Sequence, residues 1–211
     1  VPFQYAAGIQ NDPIEKKPFF HAIPGSRALS FGMLGCDFRC AYCQNWFTSQ
    51  SIKDDASTTK SVTVSAEEIC EQAISKNSKV VVSTYNEPLI TSEWAKEVFE
   101  EAKRKNLLTA YVSNGHGTPE VLEYISPWID LIKIDLKSFS KKEYRRLGGS
   151  LEAVLETIQS VHEMGVWLEL VTLLIPDYND SDKEMAEIAE FISGVSKDIP
   201  WHVTAFHPDY K

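Results

Sequence analysis

Three cysteines fall within eight residues of this 211-residue sequence, at Cys36, Cys40 and Cys43. Thiolates this close together can bind one metal centre from a single looping segment. Three protein ligands leave one coordination position open, and open positions are typical of catalytic metal sites, whereas structural zinc sites are closed. The spacing therefore predicts a metal centre that takes part in chemistry, with the three cysteines as its ligands.

Zinc and an iron-sulfur cluster are the two candidate centres. A structural zinc site normally has four ligands, and no second CxxC or HxxxH follows at the spacing of a finger or ribbon. Iron-sulfur clusters are held by cysteine thiolates, and a cube with three protein ligands leaves one iron open. The iron-sulfur cluster is therefore favoured, and cysteines that merely pack or form a disulfide are the alternative. The fourth cysteine, Cys70, lies on the apolar face of a predicted helix and is expected in the core.

The elements that position these residues alternate between β and α patterns. Short β-branched runs are separated by longer amphipathic stretches, which is typical of βα units and a mainly parallel sheet. Six such βα units predict an α/β fold in which the parallel sheet forms a partial TIM-type barrel. Residues 1–27 are predicted to be an N-terminal extension and residues 28–211 the barrel core. The predicted strands span residues 28–34, 79–85, 107–113, 130–137, 166–173 and 202–206.

Polar residues cluster where several predicted strands end. On the fourth strand Lys133, Asp135 and Lys137 alternate with apolar residues, so all three point to one face. In a barrel that face looks inward, near the carboxyl ends where such folds carry chemistry. The alternative is the exposed face of an edge strand. Glu87 and Pro88 end the second predicted strand, where proline stops the ladder and turns the chain.

The CxxxCxxC spacing with Tyr42 before the third cysteine resembles the signature of the radical S-adenosylmethionine superfamily. In that family the motif follows the first barrel strand, as it does here. The resemblance implies a 4Fe-4S cluster on Cys36, Cys40 and Cys43. It also implies reductive cleavage of S-adenosylmethionine to a 5'-deoxyadenosyl radical, which abstracts hydrogen from a substrate.

The resemblance also assigns residues around bound S-adenosylmethionine. Residues 84–88 are similar to the Gly-Gly-Glu-Pro segment that holds the amino group of the methionine moiety, although Tyr85 and Asn86 replace the glycines. Ser113 and Asn114 match positions that bind the ribose or carboxylate, and Lys137 is also assigned to catalysis. The remaining residues implied at or near the cofactor are Tyr42, Glu87, Asp135, Lys137, Glu169 (lining the cavity) and His207 (approaching the adenosine).

Order and spacing over nearly the whole chain resemble the pyruvate formate-lyase activating enzyme. The segments 12–21, 44–46 and 84–88 look closer still to the AmmeMemoRadiSam-type branch, whose members occur with Memo-like partner domains. The Lys16 and Lys17 pair between two prolines is interpreted as a stiff, solvated loop. Three functions stay open: an activase for a glycyl-radical protein, a radical enzyme acting on a small molecule, and a non-catalytic iron-sulfur scaffold. The electron donor would be a flavodoxin or ferredoxin.

The net charge and the distribution of apolar residues limit the kinds of partner that are expected. The formal charge of -9 opposes binding to a phosphate backbone, so no nucleic-acid partner is expected. No apolar run is long enough to cross a bilayer, which predicts no membrane partner and a cytoplasmic protein. The most polar stretch, residues 49–65, is predicted to be a connecting loop over the metal centre.

Overall fold

Parallel strands form the frame of the structure. The computed structural model describes residues 3–53 and 59–208, so residues 54–58 of the predicted covering loop and the two chain ends lie outside the described residues. The strands are β1 (Tyr5–Ala6), β2 (Gly8–Pro13), β3 (Arg27–Gly32), β4 (Val62–Thr63), β5 (Ser78–Ser83), β6 (Leu108–Ser113), β7 (Leu131–Asp135), β8 (Trp167–Leu174) and β9 (Trp201–Ala205).

The main sheet has seven strands in the order β2-β3-β5-β6-β7-β8-β9. From β3 to β9 every neighbouring pair is parallel, which confirms the six predicted strands. The strands follow one another in chain order, as the strands of a barrel do. Within the described residues β2 and β9 end the sheet, so the α/β fold is a partial barrel. The short strands β1 and β4 form a separate antiparallel pair.

Helices connect the parallel strands. Five of the six described α-helices after β4 begin at side-chain caps: Ser65 and Glu68 form a capping box, for example, and Ser181 caps the last helix by accepting from the Glu184 amide. The α-helices are α1 (Trp46–Ser49), α2 (Ala66–Ser75), α3 (Ser92–Arg104), α4 (Pro119–Ile125), α5 (Lys141–Leu147), α6 (Leu151–Glu163) and α7 (Asp182–Val195). Short 3-10 turns span Ile14–Lys16, Ser51–Lys53, Pro88–Thr91 and Ser126–Trp128.

The apolar side chains of the strands pack beneath these helices. Ile132 and Ile134 of β7 are buried with Val154 and Ile158 of α6 in the larger core cluster, which also contains Cys70 as expected. The alternate positions of β7 point to the opposite, inner face of the sheet. The period-two pattern of this strand therefore has the predicted consequence: its apolar set faces the helices and its charged set faces the interior.

Residues before position 27, predicted to be an N-terminal extension, include one strand of the main sheet. Strand β2 runs antiparallel to β3, with Gly8 opposite Gly32 and Pro13 opposite Arg27. Its sequence lacks a β-branched run and ends in Asp12 and Pro13, so the pattern gives no strand signal. Proline is tolerated there because an edge strand leaves one row of amides unpaired. The sheet edge is thus formed by a segment that sequence analysis does not predict as a strand.

The segment that follows, residues 14–22, closes the inner side of the sheet. Ile14, Phe19 and Ala22 are buried in a second, smaller core cluster against Val82 of β5 and Ala110 of β6. These strand residues lie on the inner face, away from the helices. The segment also reaches β8, where backbone amides of residues 20–22 bind a buried carboxylate. We call it the floor segment, because it crosses the interior from the β2 edge to β8.

The close approach of β3 to the end of β5 requires glycine at position 32. A Cβ atom there would lie 2.4 Å from the Thr84 carbonyl oxygen and 2.9 Å from Tyr85. We expect Gly32→Ala to lower the free energy of unfolding by about 1–3 kcal/mol, as overpacking typically does. Gly194→Ala on α7 is the control, because no atom lies within 4 Å of its Cβ position. Urea unfolding of both variants measures the difference, and equal midpoints would contradict the close approach.

Candidate active site

The cysteine loop follows β3 at the carboxyl end of the parallel strands. Gly35 enters it with φ +92°, a conformation that favours glycine. The Arg39 amide donates to the Leu147 carbonyl at 2.7 Å, and the Lys53 ammonium donates to the carbonyls of Cys36 at 2.7 Å and Phe38 at 2.9 Å. The loop is therefore held from two directions before any cofactor binds.

The three thiols are free and face one small space. Cys40 is buried, while Cys36 and Cys43 are half-buried, and all three line a cavity of about 90 Å³. A structural zinc site needs a closed set of four ligands, whereas a 4Fe-4S cluster held by three thiolates leaves one iron open. Three cysteine thiols around one small cavity are the donor set that suits the cluster.

Burial controls the protonation of these thiols. Burial raises the pKa of Cys36 to about 12, and the carboxylates of Glu87 and Asp37 add to the effect. Burial also raises the pKa of Cys40, although the Lys137 ammonium opposes it. Thiolates are the metal-binding form, so loading this site must release protons and depends on pH.

Asp37 ties the cysteine loop to the end of β6. Its Oδ1 accepts from the Asn114 side-chain amide at 2.8 Å and from the Phe38 backbone amide at 3.0 Å. Its Oδ2 lies 3.1 Å from Nδ1 of His116, whose Nε2 accepts from the Ser150 amide at 3.3 Å. Neutral His116 therefore carries its proton on Nδ1 and donates it to Asp37. Sequence analysis misses both residues; the only signals are the position of Asp37 inside the cysteine motif and of His116 after a rim glycine.

The end of β5 forms a tight rim with its neighbours. Tyr85 has φ +73°, the left-handed region that the glycines of the family motif would adopt easily. The Asn86 side chain accepts from the Met33 amide at 3.0 Å, which joins this rim to the chain after β3. Glu87 is almost fully buried, and one of its oxygens accepts from Ser113 Oγ at 2.7 Å and Leu89 N at 3.0 Å. The other accepts from the Asn114 amide at 2.6 Å.

The charged residues of β7 meet as the alternation predicts. Asp135 accepts from both the Lys133 and Lys137 ammonium groups, the latter at 3.3 Å. Burial alone would raise the pKa of Asp135, but the two ammonium groups lower it to about 2. Asp135 is therefore ionised at neutral pH. Burial lowers the pKa of Lys133, against the attraction of Asp135, because its ammonium group is cut off from water.

A larger cavity of about 430 Å³ adjoins the small one. The two share walls formed by Cys40, Cys43, Tyr85, Asp135 and Lys137. Tyr42 lines the larger cavity and packs against Tyr178, with ring centroids 5.7 Å apart. The volume is in the range of small-molecule sites. The arrangement can hold a metal cluster at one end and an organic ligand beside it.

Comparison with known proteins identifies the group to which this site belongs. The sequence profile of the Radical SAM superfamily matches residues 32–192, which include the cysteine loop and strands β5 to β8.

The chain is a member of the radical SAM superfamily.

Individual relatives agree with this assignment. The chain is 34% identical over 201 residues to an uncharacterized protein of Methanocaldococcus jannaschii, covering 95% of this chain and 59% of the relative. It is 23% identical to the pyruvate formate-lyase-activating enzyme of Streptococcus mutans, covering 87% of this chain and 72% of that enzyme. The chain therefore spans only part of the length of these relatives.

Solved structures of other proteins share the fold. Streptococcus suis SuiB bound to its precursor peptide SuiA superposes with a TM-score of 0.64 at 15% identity, over 86% of this chain and 41% of SuiB. SuiB has also been solved bound to S-adenosylmethionine. Radical SAM proteins use a 4Fe-4S cluster and S-adenosylmethionine, and the three thiols and the adjoining cavity fit both. No helix in the described ranges is long and apolar enough to span a membrane.

Glu169 does not take the place expected for a radical SAM cavity residue. It is fully buried on β8, where its carboxylate accepts from the amides of Phe20, His21 and Ala22 at 2.9–3.1 Å. The Trp167 indole donates to it as well, at 3.0 Å, and His202 lies 2.7 Å away. The expectation that Glu169 lines the cavity is corrected, because these contacts use the carboxylate to fix the floor segment.

Most of the other residues assigned to S-adenosylmethionine lie at the carboxyl ends of the strands, and His207 is the exception. Ser113, Asn114, Tyr85, Asn86 and Glu87 all line the small cavity beside the cysteines. His207 is exposed beyond the end of β9. Its approach to the adenosine of S-adenosylmethionine stays a prediction.

The pH dependence of stability should reveal the buried Glu87. Burial and Asp37 raise its pKa from 4.5 to about 7, against the hydrogen bonds from Asn114, Ser113 and Leu89. The folded state then binds more protons than the unfolded state between pH 4.5 and 7. Stability must therefore fall as pH rises through this window, by on the order of 3 kcal/mol.

Glu87→Gln should remove this slope. The variant keeps the shape but cannot ionise, and it costs about 1–3 kcal/mol because its amide group meets the Asn114 amide. Urea unfolding of metal-free wild type and variant, compared at each pH, measures the difference between the two curves. A constant difference across the window would show that Glu87 keeps an ordinary pKa.

Proposed function

We propose that this chain binds a 4Fe-4S cluster through Cys36, Cys40 and Cys43 and S-adenosylmethionine at the open iron. Reductive cleavage of the bound cofactor supplies a 5'-deoxyadenosyl radical, which abstracts hydrogen from a substrate, in the manner of the pyruvate formate-lyase activating enzyme. One observation carries the proposal: the three thiols line a small cavity that adjoins a larger one, and Asp135 and Lys137 wall both, in a radical SAM chain.

The charged pair of β7 suits S-adenosylmethionine. This ligand carries an ammonium, a carboxylate and a sulfonium, so it needs partners of both signs. Asp135, with a pKa of about 2, offers a carboxylate, and Lys137 offers an ammonium at the junction of the two cavities. Charge-assisted hydrogen bonds of this kind are roughly twice as strong as neutral ones. On this proposal Lys137 positions the cofactor beside the cysteine loop.

The rim residues would orient the same ligand. Ser113 and Asn114 are held by Glu87, so their positions at the small cavity are set before the ligand arrives. Glu87 already accepts three hydrogen bonds within the chain. Its remaining lone pair is what it can offer to the amino group of the methionine moiety. Tyr42 would shield the cavity wall next to Cys43.

The electron must come from a partner, for which we propose a flavodoxin or ferredoxin. The identity to the Streptococcus mutans activating enzyme supports activase-type chemistry, with a protein glycine as hydrogen donor. The floor segment favours a second candidate, a radical enzyme that acts on a small molecule with Memo-like partners. It closes the interior that a protein loop would otherwise enter, and it brings Lys16 and Lys17 to the larger cavity.

Anaerobic reconstitution with iron and sulfide tests the cluster assignment. We expect wild type to bind four irons and, once reduced with S-adenosylmethionine, to release methionine and 5'-deoxyadenosine. Cys40→Ala should lose the cluster absorbance and both products, because one of three ligands is gone. Cys70→Ala is the matched control, since Cys70 is a buried cysteine of α2 that is not among the residues lining either cavity. Binding of zinc alone by wild type would refute the assignment, and a cluster without cleavage would favour the scaffold.

Removing the Lys137 charge separates cofactor binding from cluster binding. Lys137→Met keeps the length of the side chain, so the cluster should form, while the dissociation constant for S-adenosylmethionine should rise about tenfold or more. Lys183→Met provides the control, because Lys183 is exposed on α7. Calorimetric titration of both reconstituted variants gives the constants. Unchanged affinity in Lys137→Met would remove Lys137 from the site.

A further inference from the structure

Two Lys-Asp-Lys triads occur among residues 3–53 and 59–208, and both contribute to the larger cavity. The first is Lys133, Asp135 and Lys137 on β7, described above. In the second, Asp12 at the end of β2 accepts from Lys16 at 3.4 Å and from Lys17 at 3.1 Å. Lys16 and Lys17 line the cavity, as do Lys133 and Lys137. Sequence analysis interprets Lys16 and Lys17 as a solvated loop, and for Lys17 the structure corrects this.

Lys17 forms a buried and hydrogen-bonded part of the cavity wall. Only 5% of the residue is exposed, and its ammonium donates to the Tyr85 hydroxyl at 3.0 Å. That hydroxyl lies 2.7 Å from Ser30 Oγ on β3. The Lys17 ammonium also lies 4.9 Å from the centre of the Tyr85 ring. Burial of a lysine is uncommon unless it is paired, and here one carboxylate is shared with the largely exposed Lys16.

The charge of the cavity is opposite to that of the chain. Among the described residues, its lining contains four lysines and a single acidic residue, Asp135. With Asp12 behind the second triad included, lysines still outnumber acidic residues by two around the described part of the cavity, whereas the whole chain carries a formal charge of -9. Such a surplus inside a partly closed cavity raises the local concentration of anions. The overall composition of the chain, which is acidic, does not explain this local excess of lysine.

The two triads occupy different ends of the site. Asp135 and Lys137 adjoin both the small cysteine cavity and the larger one, whereas Lys16 and Lys17 line only the larger. In the sheet, β2 is separated from β7 by three strands. A cofactor on the cysteine loop therefore meets the β7 triad first. The second triad is left for a different ligand.

We propose that Lys16, Lys17 and the Tyr85 hydroxyl bind the carboxylate or phosphate group of a small organic anion, which is the substrate that loses hydrogen. This inference rests on the proposed radical chemistry and names its substrate class. The anionic group would sit at the floor end, so that the rest of the molecule extends toward the cysteine loop. Because S-adenosylmethionine shares the 430 Å³ cavity, the substrate has to be small.

The test measures anion binding to the reconstituted protein with S-adenosylmethionine present. Glycerol 3-phosphate, inorganic phosphate and malonate are titrated by calorimetry, and we expect at least one to bind with a dissociation constant on the order of 1 mM or below. The phosphate and malonate arms distinguish the two anionic groups. In Lys17→Met the affinity should fall about tenfold or more, while Lys17→Arg should keep most of it. Lys183→Met should match wild type.

Cluster absorbance and affinity for S-adenosylmethionine are recorded on the same samples. Wild type that holds both cofactors but binds none of the three anions would overturn the proposal and leave the radical chemistry intact. Equal affinity in Lys17→Met and wild type would overturn it too. If the cofactors fail to bind, the proposed function fails, and the anion titration of the same protein still decides whether the triad is a site. Should Lys17→Met not fold, the largely exposed Lys16→Met replaces it, with a loss of several-fold expected.

Discussion

The site depends on one buried carboxylate, that of Glu87. Its oxygens accept from the ends of β5 and β6, through Leu89, Ser113 and Asn114, and so fix two strand ends against each other. The Asn114 side chain then holds Asp37, which lies next to the first cysteine. A continuous path of hydrogen bonds thus runs from the rim to the cysteine loop. Burying a carboxylate is unfavourable unless donors satisfy it, and here three donors do.

Electrostatics divides the interior into two regions. Near the cysteines, burial and neighbouring carboxylates raise the pKa of Cys36 and Glu87, so this end disfavours the anionic forms of these groups. Across the larger cavity, lysines outnumber acids, and Asp135 and Asp12 keep the ammonium groups from repelling one another. Removing either aspartate would leave two like charges close together. The opposite signs at the two ends orient any polar ligand placed between them.

What the sequence predicts here is local, and what it misses is distant in the chain. The cysteine spacing, the alternation through Lys133 and Asp135, and the cap at Ser65 depend on neighbours a few residues away, so the pattern contains them. Lys17 and Glu169 are different. Lys17 meets Tyr85, 68 positions later, and Glu169 meets amides 147 to 149 positions earlier. No periodicity encodes such pairs, because they arise only when β2 and the floor segment fold against the sheet.

The floor segment changes what a partial barrel can do. An open sheet with a metal loop at its rim exposes its inner face, and a protein loop can approach from that side. Here Ile14, Phe19 and Ala22 fill that face with apolar volume, and Glu169 fixes the segment from β8. The same segment positions Lys16 and Lys17, so closure and charge come from one stretch of chain. A cavity closed and charged by the same residues would select a ligand by size and sign together, which is what the proposed small anion requires.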